Sequence, residues 1–272
     1  MNRRRLLQLS VLAALGQSVG AREGEKPAGS LKKGLGITHR LDEWSGKLSQ
    51  LRCKWFYSWG AAVPAGAPEG IQFTPMIWGY HGKNEPITAA GKAAKAAGIN
   101  ELLGFNEPDQ KKQADLTVET ALDAWPALME TGLRLGSPGC VHPDREWMKA
   151  FMAGAKTRKL RVDFVCIHSY GGTEPAAFIK RLHAIHELYG KPIWITELGV
   201  GDWTAKTVAE NKHKPAKVLR FMESVLPQLE KLDFIERYAW FPAGHDEPAL
   251  GTSALFDAAG KLTPLGECYR DA

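Results

Sequence analysis

Two hydrophobic rhythms alternate along nearly the whole chain, and this alternation limits its fold more than any other feature. Short apolar runs bounded by Gly, Pro or polar clusters occupy 35–38, 54–57, 73–77, 101–105, 133–136, 164–168, 192–197 and 237–241. Each has the length of a buried strand. Between most of them, 88–97, 118–129, 145–155, 175–189 and 214–232 carry apolar residues at helical spacing. Pro175 suits a first helical turn after Thr173, while Gly98 and Gly190 follow the ends of two of these segments. Eight strands alternating with helices predict parallel pairing and an α/β fold, a single-domain (β/α)8 TIM barrel. A doubly wound sheet is the rival architecture. No GxGxxG or GxxxxGK[ST] follows an early run, so nothing equips such a sheet with a dinucleotide or P-loop site.

Composition agrees with a large soluble core, with 44% hydrophobic and 24% charged residues in 272. The formal charge of +5 is concentrated at the amino end, where Arg3, Arg4 and Arg5 precede an apolar run to Leu15 and the small residues Gly16, Gly20 and Ala21. That order predicts a signal peptide over 1–21, with Arg3-Arg4-Arg5-Leu6-Leu7 also resembling a twin-arginine export signal. Either route implies an exported chain, periplasmic or extracellular. The run is well short of the ~20 residues a membrane span needs, so no stable span is expected after cleavage. Cleavage would lower the 35 basic residues to 32 against 30 acidic ones, which gives nucleic acid little electrostatic purchase. Residues 22–33 read as a polar linker and 34–272 as the single (β/α)8 domain. Cys53, Cys140, Cys166 and Cys268 form no CxxC pair and no zinc spacing, and free, buried thiols are expected.

In a barrel, reactive side chains gather at the carboxyl ends of the strands. The fourth run ends in Gly104-Phe105-Asn106-Glu107-Pro108-Asp109 and the seventh in Trp194-Ile195-Thr196-Glu197-Leu198-Gly199, so each brings a carboxylate to the mouth. Strict alternation groups Glu197 with Ile195 and Ile193, and Glu107 with Phe105 and Leu103. Either Glu alone could end its strand in an ion pair or a helix cap. Two converging over an apolar interior point to chemistry, because a buried carboxylate is costly. Two carboxyl groups are the minimum for cleaving a glycosidic bond. A separation of ~5–5.5 Å retains configuration and ~6.5–9.5 Å inverts it. The parity of Phe164, Cys166 and His168 places His168 on the interior face near the mouth.

The motifs Gly-Phe-Asn-Glu-Pro-Asp, Ile-His-Ser-Tyr-Gly, Trp-Ile-Thr-Glu-Leu-Gly and Tyr-Ala-Trp-Phe resemble those of glycoside hydrolase family 128. Those are β-1,3-glucanases in a clan of retaining (β/α)8 glycosidases, and the resemblance extends from Gly34 to about Tyr269. It implies Glu107 as general acid/base, Glu197 as nucleophile, Asn106 on the sugar 2-hydroxyl, His168 and Tyr170 beside Glu197, and Trp240 beneath the reacting sugar. It also implies a cis peptide between Trp240 and Phe241. Without it, Asn106 would read equally well as a turn residue. The expected activity is double-displacement hydrolysis of β-1,3-glucan with endo action. The alternatives are a non-catalytic glucan-binding protein of the same fold, or a retaining hydrolase of another β-glycan.

Sugar rings offer apolar C–H faces, so glycan grooves use aromatic platforms. Trp55, Tyr57 and Trp59 alternate along the second run and its loop, Trp78 follows the third, and Trp203 follows the seventh. All are candidate substrate contacts, with core packing as the alternative. His39, His81, His142 and His245 form no metal triad and no GxSxG elbow occurs, so neither metal, cofactor nor serine chemistry is expected. Nothing calls for an oligomer, and a monomer is expected.

Overall fold

A computed structural model describes residues 30–272. The expected signal peptide and residues 22–29 of the expected linker lie outside the described residues. The strands are β1 Lys33–Gly36, β2 Trp55–Tyr57, β3 Gln72–Phe73, β4 Glu101–Leu102, β5 Arg134–Leu135, β6 Val165–Ser169, β7 Ile193–Leu198 and β8 Ile235–Trp240. Every ladder is parallel. Six strands run in the order β3-β2-β1-β8-β7-β6, and β4 pairs with β5. Single parallel bridges, Met76 to Leu103 and Gly136 to Phe164, cross the two seams, so neighbours around the ring follow chain order. β3 is short because Pro75 has no N–H to give; pairing resumes beyond it through Ile77 N–H to the Leu103 carbonyl at 3.0 Å.

The helices are α1 Trp44–Gln50, α2 Glu85–Ala96, α3 Val118–Glu130, α4 Glu146–Thr157, α5 Pro175–Tyr189, α6 Pro215–Lys231 and α7 Pro264–Asp271. α2 to α6 occupy the five segments with helical spacing. α1 and α7 are too short for periodicity to reveal. No described helix is long and apolar enough to cross a membrane.

Two apolar layers follow from the pleat. An inner cluster of Trp55, Tyr57, Met76, Leu103, Phe164, Cys166, Trp194 and Ala239 fills the barrel. An outer cluster, including Leu35, Phe56, Leu135, Ile167, Ile193 and Ile195, packs against the helices. At the amino-terminal floor the Arg237 guanidinium lies 4.1 Å from the Trp194 ring centroid and 5.3 Å from that of Trp55. It also pairs with Glu101 at 3.6 Å and donates to Thr74 and Gln72.

β1 begins at Lys33, one residue before the expected domain start at 34. Lys33 is fully buried and opens β1, its Nζ donating to the carbonyls of Tyr269, Arg270 and Ala272 at 2.7–2.8 Å. Lys32 does the same for Leu229, Glu230 and Leu232 at 2.9–3.3 Å. Two lysines that read as solvated linker thus cap α7 and α6, where helix carbonyls lack partners. All four cysteines are free, and Cys53, Cys140 and Cys166 are buried.

Candidate active site

The carboxyl ends of the strands open into a cleft of about 1400 Å³. Glu107 and Glu197 meet at its base, 8% and 5% exposed. One oxygen of each and a ring nitrogen of His168 all lie within 4.8 Å of one another.

Neither glutamate reaches the cleft by strict alternation. Trp194 points inward and Ile193 and Ile195 outward, so unbroken parity would send Glu197 outward as well. Instead a bulge intervenes: Ile195 pairs with Ile167 and Glu197 with His168, with Thr196 left over. The extra residue returns Glu197 to the inner face. In the segment that follows β4, Leu103 is inside but Phe105 packs outside against Trp125. The break falls at Gly104, where a Cβ would lie 2.9 Å from the Ser137 backbone. Glu107 then adopts φ 43°, a left-handed conformation uncommon outside glycine, with its N–H on the Gly139 carbonyl at 2.8 Å. The alternation therefore assigned both glutamates to the correct mouth on the wrong sequence partners.

Four groups hold Glu197. The Trp59 indole donates to Oε1 at 2.9 Å and the Tyr57 hydroxyl lies 3.1 Å from the same oxygen. The Tyr170 hydroxyl donates to Oε2, and His168 Nδ1 is 3.5 Å from it. His168 is closer to Glu107, with Nδ1 at 2.7 Å from Oε1, so it bridges the pair rather than serving Glu197 alone. Burial pulls the imidazole pKa down, but the Glu197 charge and the Glu107 hydrogen bond and charge outweigh it and leave it above its ordinary value. Burial, reinforced by Glu197, pushes the Tyr57 and Tyr170 phenols well above theirs, so both stay protonated donors. The carboxylate oxygens are thus occupied mainly by N–H and O–H donors.

Asn106 lines the cleft, its Nδ2 donating to Gln113 at 3.2 Å while Oδ1 is buried without a partner. Trp59, Trp78 and Trp203 also line it, Trp203 being 65% exposed against the edge of Tyr170. Three expected platforms do not. Trp55, Tyr57 and Trp59 form a column of rings up the inside of β2, and only the top one reaches the cleft. Trp55 lies deep in the barrel with its indole on the Lys32 carbonyl at 2.9 Å, and Tyr57 is buried behind Glu197. Trp240 points to the outer layer, fully buried, with Nε1 on the Ser253 carbonyl at 2.9 Å. Ala239 occupies the inner face, and Phe241 continues that parity into the cleft. No cis peptide occurs among the described residues, so the Trp240 to Phe241 bond is trans.

Phe241 was legible from the β8 parity yet went unrecognised. Gln113 carries no sequence signal of its contact with Asn106. Asp109 accepts the Val141 and His142 N–H groups at 3.3 and 3.2 Å, tying the loop after β5 to the one bearing Glu107.

A parallel barrel with two buried carboxylates facing each other at its carboxyl mouth defines the class of barrel glycoside hydrolases. The family model described as a glycosyl hydrolase catalytic core matches residues 34–269. Among solved structures, a family 128 subgroup I endo-β-1,3-glucanase from Amycolatopsis mediterranei, in complex with laminaripentaose, shares 35% identity. It covers 89% of this chain and 99% of its own, with a TM-score of 0.76. A subgroup II endo-β-1,3-glucanase from Pseudomonas viridiflava shares 26% over 89% and 97% of the two chains, at a TM-score of 0.69. A subgroup III curdlan-specific exo-β-1,3-glucanase from Blastomyces gilchristii shares 27% over 88% and 97%, at 0.68. No curated protein sequence matches. The chain belongs to glycoside hydrolase family 128.

Proposed function

We propose that this protein hydrolyses internal β-1,3-glucosidic bonds of β-1,3-glucan with retention of configuration. The observation that carries the reading is the carboxylate pair, whose nearest oxygens lie within 4.8 Å across the cleft floor. An oxygen pair that close favours the ~5–5.5 Å carboxyl separation of retaining enzymes over the ~6.5–9.5 Å of inverting ones. The resemblance to an endo-acting relative at 35% identity supports the substrate, and a cleft lined from β1 to β8 suits a chain bound along its length.

In the first step Glu197 attacks the anomeric carbon as a carboxylate, and Glu107 gives its proton to the departing glycosidic oxygen. The product is a glycosyl ester of Glu197. In the second step Glu107, now a carboxylate, takes a proton from water as the water oxygen displaces Glu197 from the same carbon. The donors on both oxygens of Glu197 fix its attack direction. His168 holds the Glu107 carboxyl toward the scissile bond. Asn106, Trp59, Trp78 and Trp203 form the sugar-binding surface, with Phe241 in the place expected of Trp240. We further propose that residues 1–21 export the chain to the periplasm or beyond and that it works as a monomer.

The decisive experiment measures reducing-sugar release from linear β-1,3-glucan beside Glu107→Gln and Glu197→Gln, with mannan and cellulose as controls. Release confined to β-1,3-glucan, abolished in both variants and yielding mixed oligosaccharides is the expected result. Glucan binding without release, equal in all three proteins, would replace hydrolysis with a binding role. Release of glucose alone would replace endo with exo action.

A further inference from the structure

A second concavity, of about 680 Å³, lies along α4 and the turns that follow α4 and α5. No residue lines both it and the catalytic cleft. Its walls carry Lys149, Lys156, Lys159 and Lys191, no acidic side chain lines it, and its floor is aliphatic, with Met152 beneath and Leu188 at the edge, 47% exposed. None of the four lysines forms an ion pair with a described residue. The residue that caps α4 behaves differently. Arg158, between Lys156 and Lys159, turns toward α3 and meets both Glu119 and Asp123. On the α5 side Arg181 pairs with Asp144 at 3.1 Å, ahead of α4, so the unmatched cations at the groove are its four lysines, in a chain whose total formal charge is only +5.

We infer that this groove binds a linear acidic polysaccharide, at a site separate from the catalytic cleft. Lys149 and Lys156 are seven residues apart on one helix, two turns or about 10 Å along its axis, and Lys159 extends the row. Charges in a row beside a groove suit an extended chain bearing repeated carboxylates, whereas a single headgroup needs converging donors. Lysine supplies hydrated point charges without the planar fork that reads phosphate bidentately. The aliphatic floor suits the C–H faces of sugar rings. The groove has one aromatic, Tyr189, whose hydroxyl bonds to the Pro143 carbonyl, so it lacks the stacking column that single-stranded nucleic acid uses. Such a site would hold the enzyme on an acidic matrix while leaving the cleft free for neutral glucan.

The test uses polygalacturonate as probe and the full chain as protein, at low salt, by isothermal titration calorimetry. One variant changes Lys149, Lys156, Lys159 and Lys191 to Gln; a control with the same loss of charge changes Lys83, Lys92, Lys206 and Lys261. Both are confirmed folded by far-UV circular dichroism, and a milder Lys156→Gln/Lys191→Gln variant substitutes if the first fails that check. Binding should weaken about tenfold or more in the groove variant, stay within about twofold in the control, and fade as salt rises. Equal weakening in both would assign the binding to net charge and overturn the site. So would no binding at low salt, or tighter binding to anionic phospholipid vesicles or an oligonucleotide. Because the readout is binding, the inference stands or falls separately from glucan hydrolysis.

Discussion

At the residue scale the site depends on how tightly His168 is walled in. A Cβ on Gly139 would sit 2.8 Å from His168 Nε2, and the imidazole is fully buried, so it has nowhere to retreat. Gly139→Ala should turn the ring off Glu107, lowering kcat on linear β-1,3-glucan about a hundredfold for a displacement near 1 Å. Stability should fall by about 1–3 kcal/mol from overpacking, read by urea unfolding. A loss of stability with kcat intact would deny His168 its hold on Glu107. The same residue sets a pH dependence. Its pKa is raised in the folded state by the two glutamates, so the stabilisation it brings is fully present below 6.5 and fades as pH climbs through the higher folded value. The melting-temperature gap between the wild type and His168→Gln should therefore be widest in mild acid and narrow in alkali. A gap that widens with pH would reverse that assignment.

At the element scale the strands and long helices were legible because burial imposes periodicity, and the exceptions show what periodicity omits. Alternation correctly sent Phe164, Cys166 and Trp59 inward, but a bulge at Thr196 and a close approach at Gly104 each shift the register by one. Such shifts depend on the neighbouring strand, and no local composition announces them. Trp55 was misread because parity gives a face but not a depth, and depth decides whether a ring meets sugar or core; Trp240, expected from the family resemblance, lies on the outer face, where parity would have put it opposite Ala239. Lys32 and Lys33 were misread because a lysine's charge hides what its amine can reach. Burial lowers the Lys33 pKa to about 8, yet its three short contacts tie β1 to the end of α7. Lys33→Met keeps the stem and strands those carbonyls, which should cost about 2–4 kcal/mol in urea unfolding at pH 7. Lys32→Met, at a half-buried position, should cost less.

At the scale of the whole molecule, the barrel separates a floor that holds the strands together from a mouth that does chemistry. Trp55, Trp194 and Phe164 fill the interior between them, with Phe164 stacked on Trp194 at 4.2 Å between centroids. That packed layer insulates the two ends. Arg237 sits at the floor, its side chain 14% exposed, bound to Glu101, Thr74 and Gln72 and lying over two indoles. Arg237→Leu should leave the Glu101 carboxylate, itself 14% exposed, without its ion-pair partner, and breaking such a pair costs about 3–5 kcal/mol when fully buried. The residual exposure places the expected loss toward the lower end of that range, measured by urea unfolding. Below the unfolding transition, kcat/KM on β-1,3-glucan should stay within about twofold of wild type, because independent sites more than ~7–10 Å apart rarely couple. A large fall in kcat/KM with the fold intact would show that the interior transmits floor to mouth, and the catalytic geometry would then depend on the whole column of rings rather than on the hydrogen bonds at its top.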